Sequence, residues 1–439
     1  MQIVNKKSAK PRAWIIAVDM GYGHQRTAYP LRHLAPETKV INANSYKGIS
    51  KHDRGIWEST RTFYEFISRF KRVPIIGEFA FAVFDKFQSI LTFYPKRDLS
   101  KPNFSLLNIF RLIKNGWGRE LIKELKTKNS KLPIISTFFT PAFMAEENGY
   151  PGDIFCIVCD ADIARPWASL APQTSNIKYF TPNQRTLERL TLYGVKKENI
   201  FLTGYPLPKE NIGTAKMEIT KNDLKHRLLN LDPQRQYRQQ YSPLIKKYLG
   251  KLPSSSNHIL TIMFAIGGAG AQNDIAINIL ESLQQEIEKE TIKIILSVGI
   301  KKEIKEKIIQ KITKIKMAEH LNRNIEIIFT TDINEYFHAF SQALRTTDIL
   351  WTKPSELSFY TGLGLPMIMA PTIGAQEQAN KKWLLKIGSG IPQGNPKYTH
   401  QWLFDLLNDG WFAEAAMQGF IETEKLGTYN IEKIIAQHK

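Results

Sequence analysis

Ile259-Leu260-Thr261-Ile262-Met263-Phe264-Ala265-Ile266-Gly267-Gly268-Ala269-Gly270-Ala271-Gln272 runs a nearly unbroken apolar stretch into a glycine-rich turn, and a helical pattern follows through Leu283. A strand apolar on both faces belongs in a parallel sheet covered by helices on both sides. The turn exposes backbone N–H groups at the positive end of the following helix, where Gly permits close approach of a ligand or a positive φ. It lacks the Lys-Ser/Thr ending of a P-loop and the full spacing of a dinucleotide fingerprint. Many parallel-sheet proteins use Gly at this corner for the turn alone, so the stretch specifies a fold before it specifies a ligand.

The same arrangement opens the chain. Ala13 to Asp19 is a nearly continuous apolar strand, followed by Gly21-Tyr22-Gly23-His24 and a helical pattern from Gln25 to Leu34. Further strands are predicted at Lys39 to Asn42, Pro133 to Phe139, Ile154 to Asp160, Asn176 to Phe180 and Ile200 to Thr203. In the second half they fall at Thr291 to Val298, Ile325 to Thr330, Ile349 to Trp351 and Pro366 to Met369. Strands alternating with helices predict open parallel sheets, hence an α/β protein of two successive halves. The expected boundaries are a domain over 1–208, a polar linker or insertion over 209–258, a second domain over 259–395 and a helical tail over 396–439.

The 439 residues suffice for two or three domains. A hydrophobic share of 43% and a charged share of 23% exclude a disordered or fibrous chain. Sixty Lys and Arg against 41 Asp and Glu leave +19, which calls for an anionic partner: nucleic acid, a phosphorylated ligand or an acidic membrane. The basic residues are scattered and no nucleic-acid motif appears, so nucleic acid ranks last. The two cysteines, Cys156 and Cys159, lie in an apolar run without a second pair to complete a metal site, and read as core thiols of a reducing cytosol. No metal and no cofactor are expected. The polar start, Met1 to Pro11, has no signal-peptide core, and no apolar run reaches the ~18–20 residues that span a bilayer.

Chemistry gathers at three places. His24 falls at the carboxyl edge of the first strand, where open sheets bind ligands and an imidazole can take a proton from a hydroxyl; the alternative is a helix-start residue bonding locally. Lys353-Pro354-Ser355-Glu356 follows a strand, with Ser355 and Glu356 able to cap a helix and offer acceptors to ribose hydroxyls. Gln376, Glu377 and Asn380 set polar groups at a second helix start.

In these stretches the chain resembles the GT-B glycosyltransferases that include plant monogalactosyldiacylglycerol synthase, bacterial diacylglycerol glucosyltransferases and the peptidoglycan N-acetylglucosaminyltransferase. The family's glycine-rich turn ending in His resembles Gly21 to His24. Its Asp-containing strand end with a Pro-Trp pair resembles Asp160 to Asp162 with Pro166 and Trp167. Its interdomain signature resembles Thr203-Gly204-Tyr205-Pro206, its donor-phosphate loop Gly267 to Gln272, and its sugar block Gly364 to Asn380. The resemblance implies two Rossmann-like domains whose parallel sheets face across a cleft. It implies a UDP-sugar donor, a lipid acceptor and inversion at the anomeric carbon. His24 would be the general base, with Gly21, Gly23, Asp160 and Trp167 on the acceptor side. Gly267, Gly268, Gly270, Ala271, Gln272, Lys353, Ser355, Glu356, Gln376, Glu377 and Asn380 would hold the nucleotide-sugar. The chain departs from the family at Lys353 to Glu356, where a glycine-rich segment is usual, and in having Ala375 before Gln376-Glu377.

The stretch from Arg61 to Arg97 mixes aromatic and basic residues. After Pro74, Ala80, Phe84, Phe87, Leu91 and Tyr94 recur at helical spacing, and Lys96 and Arg97 close the run. Such a helix either lies in an anionic membrane interface or packs on the core. With the resemblance, the expectation is a cytoplasmic enzyme peripheral at the inner face of the cell membrane. Two rival functions share these features: a UDP-sugar epimerase or hydrolase on the same fold, and a non-catalytic membrane- or sugar-binding protein.

Overall fold

The computed structural model describes residues 13–59, 89–266, 272–372 and 374–437. The chain forms two compact units, Met1–Pro206 with Gly427–Lys439, and Leu207–Leu426. Each contains one six-stranded sheet in which every paired strand is parallel.

The first sheet comprises β1 (Trp14–Ala17), β2 (Ile41–Asn42), β3 (Ile134–Ser136), β4 (Ile154–Ile157), β5 (Lys178–Thr181) and β6 (Ile200–Leu202). They lie in the order β2-β1-β3-β4-β5-β6. The order reverses between β1 and β3, paired as Trp14↔Ile134 through Ile16↔Ser136, and that reversal opens a crevice at the strands' carboxyl ends. The helices used below are α1 (Tyr22–Ala28), α2 (Phe104–Lys114), α3 (Phe139–Glu147) and α4 (Gln184–Leu192). The helix expected as far as Leu34 is α-helical only to Ala28 and continues as a 3₁₀ helix over Tyr29–Leu34. Pro30 has no N–H to donate to an i−4 carbonyl, which accounts for the change.

The second sheet comprises β7 (Leu260–Ala265), β8 (Ile292–Gly299), β9 (Ile325–Phe329), β10 (Ile349–Thr352), β11 (Met367–Met369) and β12 (Gly390–Pro392). Its order, β12-β11-β10-β7-β8-β9, is the doubly wound dinucleotide-fold arrangement, with its reversal between β7 and β10. Here α5 (Glu218–Leu231), α6 (Asn273–Ser282), α7 (Ile333–Leu344), α8 (Ala375–Lys386) and α9 (Trp411–Glu422) serve the argument. The strand β12 has no counterpart in the sequence reading, because Gly390 and Pro392 leave a single apolar residue, Ile391, between them.

Two boundaries change. Residues 209–258, expected as a partly helical polar linker and surface insertion, are largely helical, and Leu224, Leu228, Leu231, Tyr237, Ile245 and Leu249 enter the core of the second unit. Their polarity misleads because part of it is buried. Arg227 is buried in α5 and donates to the carbonyls of Thr347, Leu344, Leu363 and Gly364. The expected tail over 396–439 also divides. Leu403, Leu407 and Phe412 pack in the second unit, while the last helix, α10 (Gly427–Gln437), sets Ile431 and Ile435 among Ile15, Leu31 and Phe155 of the first.

Candidate functional site

Chemistry-bearing residues collect at the reversal point of each sheet. In the first unit, β1 runs through Val18 to Gly21, the residue before α1, whose backbone has φ 99° and ψ 173°. Only glycine adopts that conformation readily, so Gly21 makes the corner that starts the helix. His24 is then the third residue of α1, in its first turn. Its Nδ1 lies 2.8 Å from the Thr137 carbonyl oxygen, just past β3. A carbonyl only accepts, so Nδ1 carries a proton, and in the neutral ring Nε2 is the basic nitrogen. The Cys159 sulfur, just past β4, lies 3.6 Å from the same Nδ1, and the Phe138 ring is centred 4.8 Å from the imidazole. Segments after β1, β3 and β4 thus converge on one histidine.

Both cysteines are buried, and burial pushes the Cys156 thiol up. Three extended residues span about 10 Å, beyond disulfide reach, so the C-x-x-C spacing reflects strand geometry. Thr137, Phe138 and Cys159 escaped the sequence reading as site residues. The available signal was that their strand ends, Pro133 to Phe139 and Ile154 to Asp160, neighbour β1.

Trp167, expected to face an acceptor, is buried. It meets Phe139 edge-on at 5.3 Å and Phe138 at 6.2 Å, backing the His24 wall from behind. Asp160 is half-buried in the loop after β4. In the same loop Asp162 accepts two 2.8 Å hydrogen bonds from the buried Arg189 guanidinium, which marks it as a structural acid.

Phe84 and Phe87 lie outside the described residues. The rest of the expected membrane helix is corrected, since residues 89–100 are not helical. Leu91 and Tyr94 are exposed, whereas Phe93 is buried beneath the Arg185 guanidinium, 3.8 Å from its ring centre. Lys96 pairs with Glu188 at 2.9 Å, and Arg97 folds back on the Pro95 carbonyl at 3.0 Å. A second exposed apolar pair, Phe104 and Leu107, lies on α2.

In the second unit, the register Phe264↔Trp351 sets the ends of β7 and β10 side by side. Gln272 heads α6 and is 4% exposed, and its amide oxygen has no hydrogen-bond partner among the described residues. Gly267, Gly268, Gly270 and Ala271 lie outside those residues. Past β10, Lys353 and Ser355 are half-buried and Glu356 is buried. The following helix is 3₁₀, Glu356–Leu363, buried throughout, and the Ser355 side chain does not cap it, contrary to expectation. Asn380 is fully buried in α8 and donates to the Pro354 carbonyl at 3.2 Å, tying that helix to the loop after β10. Lys353 Nζ stands 3.9 Å from Glu377 Oε1 in the first turn of α8. The two polar clusters seen separately in the sequence are therefore one cluster in space. The sequence reading missed Gln393, which follows β12 and accepts the Trp351 indole N–H at 2.9 Å.

A lysine beside the start of α8 suits an anionic group, and the carboxylates of Glu356 and Glu377 suit hydroxyls. Among the described residues no three His, Cys, Asp or Glu side chains are disposed to hold a metal, and no helix is long and apolar enough to cross a membrane.

A family model described as a domain of unknown function (DUF6938) matches residues 254–435. No curated protein matches the chain. Among solved structures, the chain is similar to S. aureus MnaA in complex with UDP (TM-score 0.46, 12% identity, 96% of this chain and 95% of that one). It is also similar to MurG of Acinetobacter baumannii (TM-score 0.43, 12% identity, 75% and 79%). A glycosyltransferase of Rickettsia africae gives a TM-score of 0.41 at 12% identity over 97% and 98%. At TM-scores below 0.5 these are likenesses of outline, and the chemistry has to be read from the chain's own residues.

Proposed function

We propose that the chain is an inverting glycosyltransferase that moves a hexose from a UDP-sugar to a hydroxyl of a membrane lipid. The observation that carries this reading is His24, whose Nδ1 is committed to the Thr137 carbonyl at a sheet reversal point, leaving Nε2 as the base. In this reading Nε2 takes the acceptor hydroxyl's proton while the oxygen attacks the anomeric carbon from the face opposite the diphosphate. The bond from that carbon to the diphosphate oxygen breaks, its electron pair leaves with UDP, and the configuration inverts once. Lys353 and the first turn of α8 offset the charge developing on the leaving group. Glu356 takes the ribose hydroxyls, and Gln376 and Glu377 orient the sugar, while Asn380 holds α8 against the loop after β10.

The lipid acceptor finds support on α2. Phe104 and Leu107 are exposed among Lys101, Arg111 and Lys114, and no acidic residue occurs from 99 to 119. An apolar pair ringed by cations suits an anionic bilayer surface.

The test is UDP release from a UDP-sugar and lipid mixture by wild type and His24→Ala. A loss of about 100-fold or more is expected from removing a general base; an unchanged rate overturns the assignment. UDP-sugar turnover that needs no acceptor would instead select an epimerase or hydrolase.

A further inference from the structure

Helix α1 is joined to the chain segment leaving the first unit by a directed run of hydrogen bonds. Thr27 Oγ1 donates to the Gly23 carbonyl at 2.8 Å and lies 3.0 Å from the Tyr205 hydroxyl. Thr27 has one hydroxyl proton and the carbonyl can only accept, so Tyr205 donates to Thr27 and Thr27 to Gly23. The Gly23 carbonyl belongs to the peptide plane whose nitrogen is that of His24. The run therefore ends on the backbone of His24 itself.

Its other end is fixed as well. Tyr205 is 1% exposed and Thr27 fully buried. The α10 backbone lies so close that a Cβ on Gly427 would sit 2.1 Å from the Tyr205 carbonyl oxygen. Asn430 adds a 2.8 Å hydrogen bond to the Thr203 carbonyl. Phe and Val would fill nearly the same volume in this core without polar groups to satisfy. A hydroxyl pair instead fixes one relative orientation of ring and helix.

We infer that Tyr205 is a positioning residue for His24, holding the first turn of α1 so that the imidazole is presented in one place. The inference rests on His24 acting as the base. Thr137 sets the tautomer and the direction of the ring; Tyr205, through Thr27, sets where the ring's backbone stands.

The experiment uses Tyr205→Phe, Thr27→Val, the double variant, Thr27→Ser and, as a control for simple destabilisation, Leu190→Ala in the buried face of α4. The His24 resonance is followed in ¹³C-histidine-labelled protein and identified by its loss in His24→Ala. Tyr205→Phe and Thr27→Val should each shift that resonance and lower kcat by about tenfold, with donor KM within about twofold. The double variant should be no worse than either single one, and Thr27→Ser should restore wild-type behaviour. Leu190→Ala should lower Tm without moving the resonance. An unmoved His24 resonance in Tyr205→Phe, or losses that multiply in the double variant, would overturn the inference. If wild type turns over no UDP-sugar, the proposed activity fails on its own, and the resonance arm still decides the positioning.

Discussion

The Thr137 carbonyl decides the tautomer of His24, because an acceptor-only partner on Nδ1 determines which nitrogen carries the proton in the neutral ring. The sequence placed His24 at a strand's edge but could not show this partner, which lies 113 residues away. Lys353 is a similar case. Its sequence neighbours read as a departure from a glycine-rich pattern, yet the fold sets its ammonium within 3.9 Å of Glu377. Such a lysine, half-buried beside a helix start, should contact the diphosphate. Lys353→Met should weaken UDP binding about tenfold or more by calorimetry, the scale of one charge-assisted hydrogen bond. Lys353→Arg should lose less, and equal affinity across all three proteins would remove Lys353 from the site.

At the scale of elements, the glycine-rich turns and continuous apolar runs located eleven of the twelve strands among the described residues, since parallel strands buried on both faces carry a strong local signal. β12 was hidden because three residues with Gly and Pro carry none. The segment around Leu91 shows the opposite failure: a helical spacing of apolar residues that forms no helix over residues 89–100. A proposed membrane contact therefore moves to α2, whose asparagine cap, Asn103, accepts from the Leu106 N–H. Opposite its buried Leu106, Phe110 and Ile113, the helix leaves Phe104 and Leu107 in solvent. Phe104→Glu/Leu107→Glu should reduce sedimentation with anionic liposomes several-fold, and wild-type binding should fall as salt rises. Binding indifferent to both would remove the membrane from the account.

At the scale of the molecule, the chain crosses between its units twice, after Pro206 and after Leu426. The sequence indicated the first crossing through Gly204-Tyr205-Pro206. It gave no sign of the second, because α10 has the same amphipathic pattern as the helices before it, and only packing reveals that Ile431 and Ile435 belong to the first core. Residues 209–258 read as a surface segment for a related reason: buried charges such as Arg227, satisfied by carbonyls distant in sequence, look like surface in one dimension. Two doubly wound units in one chain provide two reversal points, one with a histidine and one with a lysine and carboxylates. The central claim is that the second of these binds a uridine nucleotide. The most direct measurement is the melting temperature of the whole protein with UDP, a panel of UDP-sugars, and AMP as a control. Ligand at ~100 times its Kd stabilises a folded protein by about 2.7 kcal/mol. A saturable rise is expected with UDP and with at least one UDP-sugar, diminished in Lys353→Met and absent with AMP. No rise with any uridine nucleotide, or an equal rise with AMP, would contradict it.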